Sequence, residues 1–324
     1  MGHIILYAIV PIFVIMALGY ISGKKGAFSG ADAKILNKVV LNYALPAALF
    51  VSIIKANREM LSVDLKLTVI SFTVLIACFF LVYFVFKYLY KDTTAESAVS
   101  ALISGSPTIG FLGFAVLQPI FGSSASVGLV IAIVAIEVNA VGIPIGLSLL
   151  NAGNEAAAAA KNGGKKPNPW KPVIHALEQP VAWAPILAVI LVLCGVKWPA
   201  CLDPSFNLIA GANASVAVFA AGITLSSVKI VLNGQVFMGS FLKLIVMPLA
   251  ILIVGLLFHM EPFNLKMLVV CAALPPAFSG IIIASRYNTY VATGTSSLAV
   301  STLLFMGACP LWIWLTDLAL KWWA

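Results

Sequence analysis

The feature that most constrains this chain is its succession of apolar runs long enough to cross a bilayer. A helix needs about 20 residues to cover a hydrocarbon core of about 30 Å. In lipid only helices and closed barrels satisfy every backbone donor and acceptor. Ten runs reach that length, at approximately 3–22, 32–55, 64–90, 95–121, 125–150, 173–196, 204–228, 235–258, 264–287 and 295–321. They predict an all-α polytopic membrane protein of ten transmembrane helices, here spans 1 to 10. Composition agrees: 9% of residues are charged and mean hydropathy is +1.08, against about 25% charged in soluble domains. Span 1 lacks a basic leader and an Ala-x-Ala exit, so it is expected to stay as a membrane helix.

Several classes are excluded. The net charge of +8 is scattered singly or in pairs between apolar runs, with no basic arm, so no nucleic-acid partner is expected. Cys78, Cys194, Cys201, Cys271 and Cys309 show no metal spacing and read as small hydrophobes. There is no nucleotide-binding motif, nucleophile elbow or His/Glu metal spacing, so neither an enzyme nor a cofactor is expected.

The one long polar break is 151–172, "NAGNEAAAAAKNGGKKPNPWKP", which predicts a linker between a first five-helix repeat (1–150) and a second (173–324). Lys and Arg near span ends favour the cytoplasmic side. With both termini outside, Lys24, Lys25, Lys87, Lys91, Lys165, Lys166 and Arg286 lie inside with the linker, while Lys55, Arg58 and Lys266 lie outside. The bacterial inner membrane is the expected location. Five spans per half reverse the entry side of the second half, as in an inverted repeat. Pro107 and Pro276, and Pro144 and Pro310, recur at nearly one offset, as do "LPAALF" (45–50) and "VAVFAAG" (216–222).

Spans 4 and 9 carry the strongest functional signal. "GSPTIGFLG" (105–113) and the pair Pro275-Pro276 interrupt otherwise apolar helices. Pro removes a backbone bond and Gly weakens a helix interior. At 1.5 Å per residue, Pro107 lies about 18 Å into span 4, and Pro276 lies as deep from the other side. Such breaks are tolerated only where protein or a water-filled cavity covers them. The half-helices then offer N–H groups and positive dipole ends to an anion. Ser106, Pro107, Thr108, Pro275, Pro276 and Ser279 are therefore candidate substrate-binding residues.

Polar side chains inside spans add candidates. Glu137, in "AIEVNAVGIP", sits about mid-membrane; it would carry a proton, ligate a cation, or brace the break in span 4. A proton is favoured over sodium as coupling ion, because one carboxylate is a thin ligand set. Asn139 is two residues further on. Lys243 would snorkel to the inner surface, pair with a carboxylate, or attract an anionic substrate. Asn42 and Asn213 would bond neighbouring helices or reach the breaks. His175 reads as satisfied locally.

The blocks "PIFVIMALGYISGKKGAFS" (11–29), "LNYALPAALF" (41–50), "GFLGFAVL" (110–117), "KLIVMPLAIL" (243–252), "ALPPAFSGIIIASRYN" (273–288) and "STLLFMGACPLWIWL" (301–315) resemble those of the auxin efflux carrier family, nearly end to end. That family includes plant auxin exporters and bacterial permeases for malonate- or malate-like acids. The resemblance implies a bile-acid-symporter-like fold. Spans 1, 2, 6 and 7 would form a scaffold, and spans 3–5 and 8–10 a moving domain with crossed spans 4 and 9. The plant exporters carry Pro-Asn where this chain has Pro107-Thr108, so an auxin-like ligand is not implied. The expected function is secondary transport of a small organic anion, a short dicarboxylate such as malonate or malate, by alternating access. The rival readings are an anion channel or uniporter and a non-transporting sensor subunit. The expected partners are the substrate, the lipid bilayer and a second copy docked through the scaffold.

Overall fold

The computed structural model describes residues 10–54, 65–162, 174, 178, 180–196, 198–227 and 229–323. Within them the chain is almost entirely helical, and the one strand-like pairing is an antiparallel bridge between Pro107 and Pro276. In chain order, α1 is Val10–Lys24. Helix α2 (30–54) joins Gly30–Val39 and Leu45–Ile54 through a π turn at Val40–Ala44. Helix α3 is Leu65–Leu89. Helices α4 (Thr94–Ser104) and α5 (Ile109–Phe121) flank the first break. Helix α6 (125–162) contains a π turn at Glu137–Gly142. Helices α7 (Pro180–Leu193) and α8 (Asp203–Ser227) follow. Helix α9 (Gly234–Leu257) has a π turn at Leu242–Val246. Helices α10 (Pro262–Ala273) and α11 (Phe278–Tyr287) flank the second break, and α12 is Val291–Trp323.

Among the described residues six helices, α2, α3, α6, α8, α9 and α12, are long and apolar enough to cross a membrane. Predicted spans 4 and 9 are each divided in two by their Gly/Pro interruptions, so neither is one continuous helix. Predicted span 1 is described from Val10, and predicted span 6 continuously only over 180–196. Pro144 and Pro310, which the sequence pairs by offset, do not break α6 or α12.

Local chemistry sets the ends. Ser29 accepts from the Asp32 N–H at 3.3 Å while the Asp32 carboxylate accepts from the Ser29 N–H at 2.8 Å, a capping box that starts α2. Thr93 and Glu96 do the same for α4. Asn233 and Glu261 cap α9 and α10. Gly122, at φ +87°, ends α5 in a conformation that a side chain would strain.

Close backbone approaches hold the helices together. A Cβ on Gly222 of α8 would stand 2.1 Å from the Met16 carbonyl oxygen of α1, and one on Gly19 would stand 2.2 Å from the Phe219 carbonyl oxygen. Small residues thus let α1 and α8 touch backbone to backbone, the packing that serves helices where lipid gives no hydrophobic drive. Helix α4 is buried from Ser97 to Ser104. It is wedged between α6, whose Gly146 abuts Leu102, and α11, whose Gly280 abuts the Leu102 backbone.

One boundary differs from expectation. Asn151–Asn162, read from composition as the start of the linker, continues α6. Its Ala run has the highest helix propensity, and Gly153 lies against the Ala95 backbone, so packing extends the helix. The rest of the predicted linker, together with His175, Lys55 and Arg58, lies outside the described residues.

Candidate functional site

The two breaks are tied to each other. The Thr108 N–H donates to the Pro275 carbonyl at 3.0 Å, and the Ala277 N–H donates to the Ile103 carbonyl at 3.1 Å. These reciprocal bonds bracket the Pro107–Pro276 bridge. Proline has no N–H to give, so the residues beside the prolines make the bonds. Interrupted backbone is thereby satisfied by the partner interruption, as apolar surroundings demand.

On one side of this junction, α5 begins at Ile109, and the side chain of its N-cap residue, Thr108, makes no capping bond. Thr108 is 2% exposed, and its hydroxyl has no hydrogen-bond partner among the described residues. Gly110 lies where a Cβ would come 2.7 Å from Leu45 of α2. Asn213 of α8 donates through Nδ2 to the Gly110 carbonyl at 2.9 Å. A carbonyl only accepts, so the bond fixes the amide's orientation, and Oδ1 is left as a buried acceptor without a partner among the described residues. Asn213 also lines a cleft of about 810 Å³ whose walls include Ala48 and Val51 of α2, Phe114 and Gln118 of α5, and Asn207 of α8.

On the other side, Glu137 begins the π turn of α6 and is 4% exposed. Its Oε1 accepts from the Ser71 hydroxyl of α3, and its Oε2 has no partner among the described residues. Glu137, Ser106, Pro107, Gly105 and Gly142 line a cavity of about 10 Å³. Gly142 belongs to the same turn, and a Cβ there would meet the Ser106 hydroxyl at 3.8 Å.

Lys243 occupies the π turn of α9 and is fully buried. Its ammonium donates to the Ala272 carbonyl at 2.6 Å and contacts the Met247 sulfur at 3.1 Å. The snorkelling alternative is overturned: the side chain turns to the carbonyl end of α10, where helix dipole and unpaired carbonyls attract a cation. The same π turn frees the Leu244 carbonyl, which accepts from Trp312 Nε1 at 2.7 Å.

The structure thus gathers Ser106, Pro107, Thr108, Glu137, Pro275, Pro276, Asn213 and Lys243 at or beside the junction. Ser279 is half-buried in the first turn of α11. Asn42 is half-buried in the π turn of α2, one turn before Leu45. Asn139 is committed elsewhere: its Nδ2 donates to the Ala135 carbonyl of its own helix at 2.8 Å. Sequence reasoning passed over Ser71, since a lone Ser in an apolar helix carries no periodic signal, and it passed over the Gly110 and Ala272 carbonyls, which no side-chain pattern reveals.

Described residues that are almost wholly helical, with six apolar helices of spanning length among them and two predicted spans interrupted and bonded at their interruptions, define a multi-pass membrane protein. Residues 4–313 match the model of the family described as membrane transport protein, and the chain belongs to that family, the auxin efflux carriers. It is 56% identical over 310 residues to the uncharacterized transporter YfdV of Escherichia coli K12, covering 96% of this chain and 97% of the relative. It is 25% identical over 316 residues to the uncharacterized transporter MJ1031 of Methanocaldococcus jannaschii, covering 94% and 96%. It is 24% identical over 307 residues to a putative malonate transporter of Rhizobium meliloti, covering 91% of each.

Proposed function

We propose that this membrane transporter is a secondary active carrier of a small organic anion, a short dicarboxylate such as malonate or malate, and that it binds its substrate where the two helix breaks meet. The observation that carries this reading is the start of α5, whose N-cap Thr108 makes no capping bond, beside the Thr108 hydroxyl and Asn213 Oδ1, both without a partner among the described residues, next to a cleft large enough for such an acid. Free N–H groups at a helix start favour an anion. The relative named a putative malonate transporter supports the choice of acid.

In this reading α1, α2, α7 and α8 form the scaffold, and α3–α6 with α9–α12 form a domain that slides against it like an elevator. The cleft lies between the two groups, with α2 and α8 on one wall and α5 on the other. With both termini outside, it opens outward. The Asn213–Gly110 bond spans that boundary and breaks when the domain moves. Glu137, inside the moving group, carries the coupling proton. Purified protein in proteoliposomes, loaded with buffer and given labelled malonate, malate or succinate under an imposed pH gradient, tests this. Saturable uptake that unlabelled acid competes away supports it; no uptake of any short carboxylate, with or without a gradient, overturns it.

A further inference from the structure

Glu137 is held by a single hydrogen bond, and its donor has a second acceptor within reach. The Ser71 hydroxyl faces Glu137 Oε1 across the α3–α6 interface and the Thr68 carbonyl in its own helix at 3.2 Å. A hydroxyl carries one hydrogen and two lone pairs, so Ser71 donates to only one of these acceptors at a time. Ser71 is 0% exposed and Glu137 4%, so neither group can turn to bulk water. Glu137 Oε2 has no partner, which leaves Ser71 as the one side chain bonded to this carboxyl among the described residues.

We infer that Ser71 is a two-position positioning residue that lets Glu137 hold and release a proton without leaving a donor unpaired in either state. When Glu137 is ionised, the Ser71 hydrogen points to Oε1, a charge-assisted bond of the stronger kind. When Glu137 is protonated, its own O–H donates to Ser71 Oγ, and the Ser71 hydrogen turns to the Thr68 carbonyl. Ser71 keeps its hydrogen throughout and only rotates. The proton that joins Glu137 comes from hydronium and returns to water. The cavity of about 10 Å³ shared by Glu137 and Ser106 is about the space one water needs. A Val or Ala at position 71 would serve neither state. A donor with no nearby carbonyl would serve only the ionised one.

The surroundings leave this role to Ser71. Cys271 of α10 lies within electrostatic reach of Glu137 and of Lys243 on α9, which in turn reaches Cys78 on α3. Lys243 is itself bonded to Ala272 and Met247. Helix α7 brings no ionisable side chain over Pro180–Leu193. The α4–α5 break contributes only the Ser106 hydroxyl.

This inference rests on the reading of Glu137 as proton carrier, and the test separates the two. Infrared difference spectra of the purified protein, titrated from about pH 4 to about pH 10, report the carboxylic-acid band that Glu137→Gln removes. In Ser71→Ala that band is expected to move to higher frequency, as for an acid without an acceptor. Its midpoint is expected to move about one pH unit to the alkaline side, because the ionised form loses the stronger bond. Ser71→Cys, nearly the same size with a weak donor and acceptor, should fall between. An unchanged band and midpoint in a folded Ser71→Ala would overturn the role of Ser71 while leaving Glu137 as carrier. Absence of any band sensitive to Glu137→Gln across the titration would overturn both.

Discussion

The Lys243 ammonium donates to the Ala272 carbonyl at 2.6 Å, so a buried positive charge closes the carbonyl end of the half-helix that runs into the second break. A helix end of that polarity would otherwise repel an anion seated at the junction. An ammonium held there would offset that repulsion.

Lys243→Met tests this directly. Met keeps most of the stem and deletes the charge. Burying an ammonium away from any carboxylate costs several kcal/mol, more than its bonds to a carbonyl and a thioether return. The variant is therefore expected to be at least as stable as wild type in thermal unfolding. Affinity for the transported acid should drop about tenfold or more, the equivalent of ~1.4 kcal/mol. Binding at wild-type strength would show that the charge serves the fold alone.

Thr108→Val separates folding from binding at the other end of the junction. The hydroxyl is buried without a partner among the described residues, so removing it breaks no hydrogen bond within them, and stability should stay within about 0.5 kcal/mol. A substrate that uses the hydroxyl loses ~0.5–1.5 kcal/mol, or roughly twofold to tenfold in affinity. Calorimetric titration with the acid that proves to be transported decides it, and equal affinities would remove Thr108 from the site.

The uneven legibility of the sequence has physical causes. The breaks were visible because Gly and Pro at 105–110 and 275–276 contradict an apolar helix on their own. Their mutual bonding, Thr108 to Pro275, links residues far apart in the chain and was inferred only as a shared depth. The π turns were not visible at all, since one extra residue in a turn leaves no compositional mark. Yet Asn42, Glu137 and Lys243 all sit in them. For Lys243, depth along an ideal helix suggested a reach to the surface, whereas the π turn and the Ala272 carbonyl direct it inward. Asn139 drew attention as a polar residue near Glu137, but it bonds a carbonyl four residues earlier, the local competition that short polar side chains make in any helix.

The contact between α1 and α8 makes a prediction about the proposed scaffold. Gly222→Ala would place a carbon 2.1 Å from the Met16 carbonyl oxygen and 2.8 Å from the Tyr20 nitrogen. Both are backbone atoms and cannot step aside, so the helices must part. Overpacking of this kind costs ~1–3 kcal/mol or more. Gly307→Ala in α12 is the control, because a Cβ there meets nothing within 4 Å, and Ala gains ~0.5–1 kcal/mol over Gly inside a helix. Thermal unfolding in detergent should show a clear loss for Gly222→Ala and none for Gly307→Ala.

In the proposed carrier, Glu137 couples transport to a gradient. Its carboxyl is buried beside the first break, bonded by Ser71 on one oxygen and, among the described residues, by nothing on the other. A hard cation takes several oxygen ligands, and among the described residues the cavity next to Glu137 offers few side-chain oxygens beyond its own carboxylate and the Ser106 hydroxyl, so a proton is the better fit. Glu137→Gln keeps the size and the neutral state of a protonated carboxyl but cannot release a proton. It should bind the acid and exchange it across the membrane, yet fail to accumulate it under an inward pH gradient. Wild type should accumulate the acid under that gradient and stay indifferent to a sodium gradient at fixed pH. The measurement is flux in proteoliposomes with each gradient imposed alone, on both proteins. Sodium-driven accumulation in wild type that Glu137→Gln abolishes would reassign the carboxylate as a cation ligand. Equal accumulation by both proteins under the pH gradient would make Glu137 a brace for the break and move coupling elsewhere in the chain.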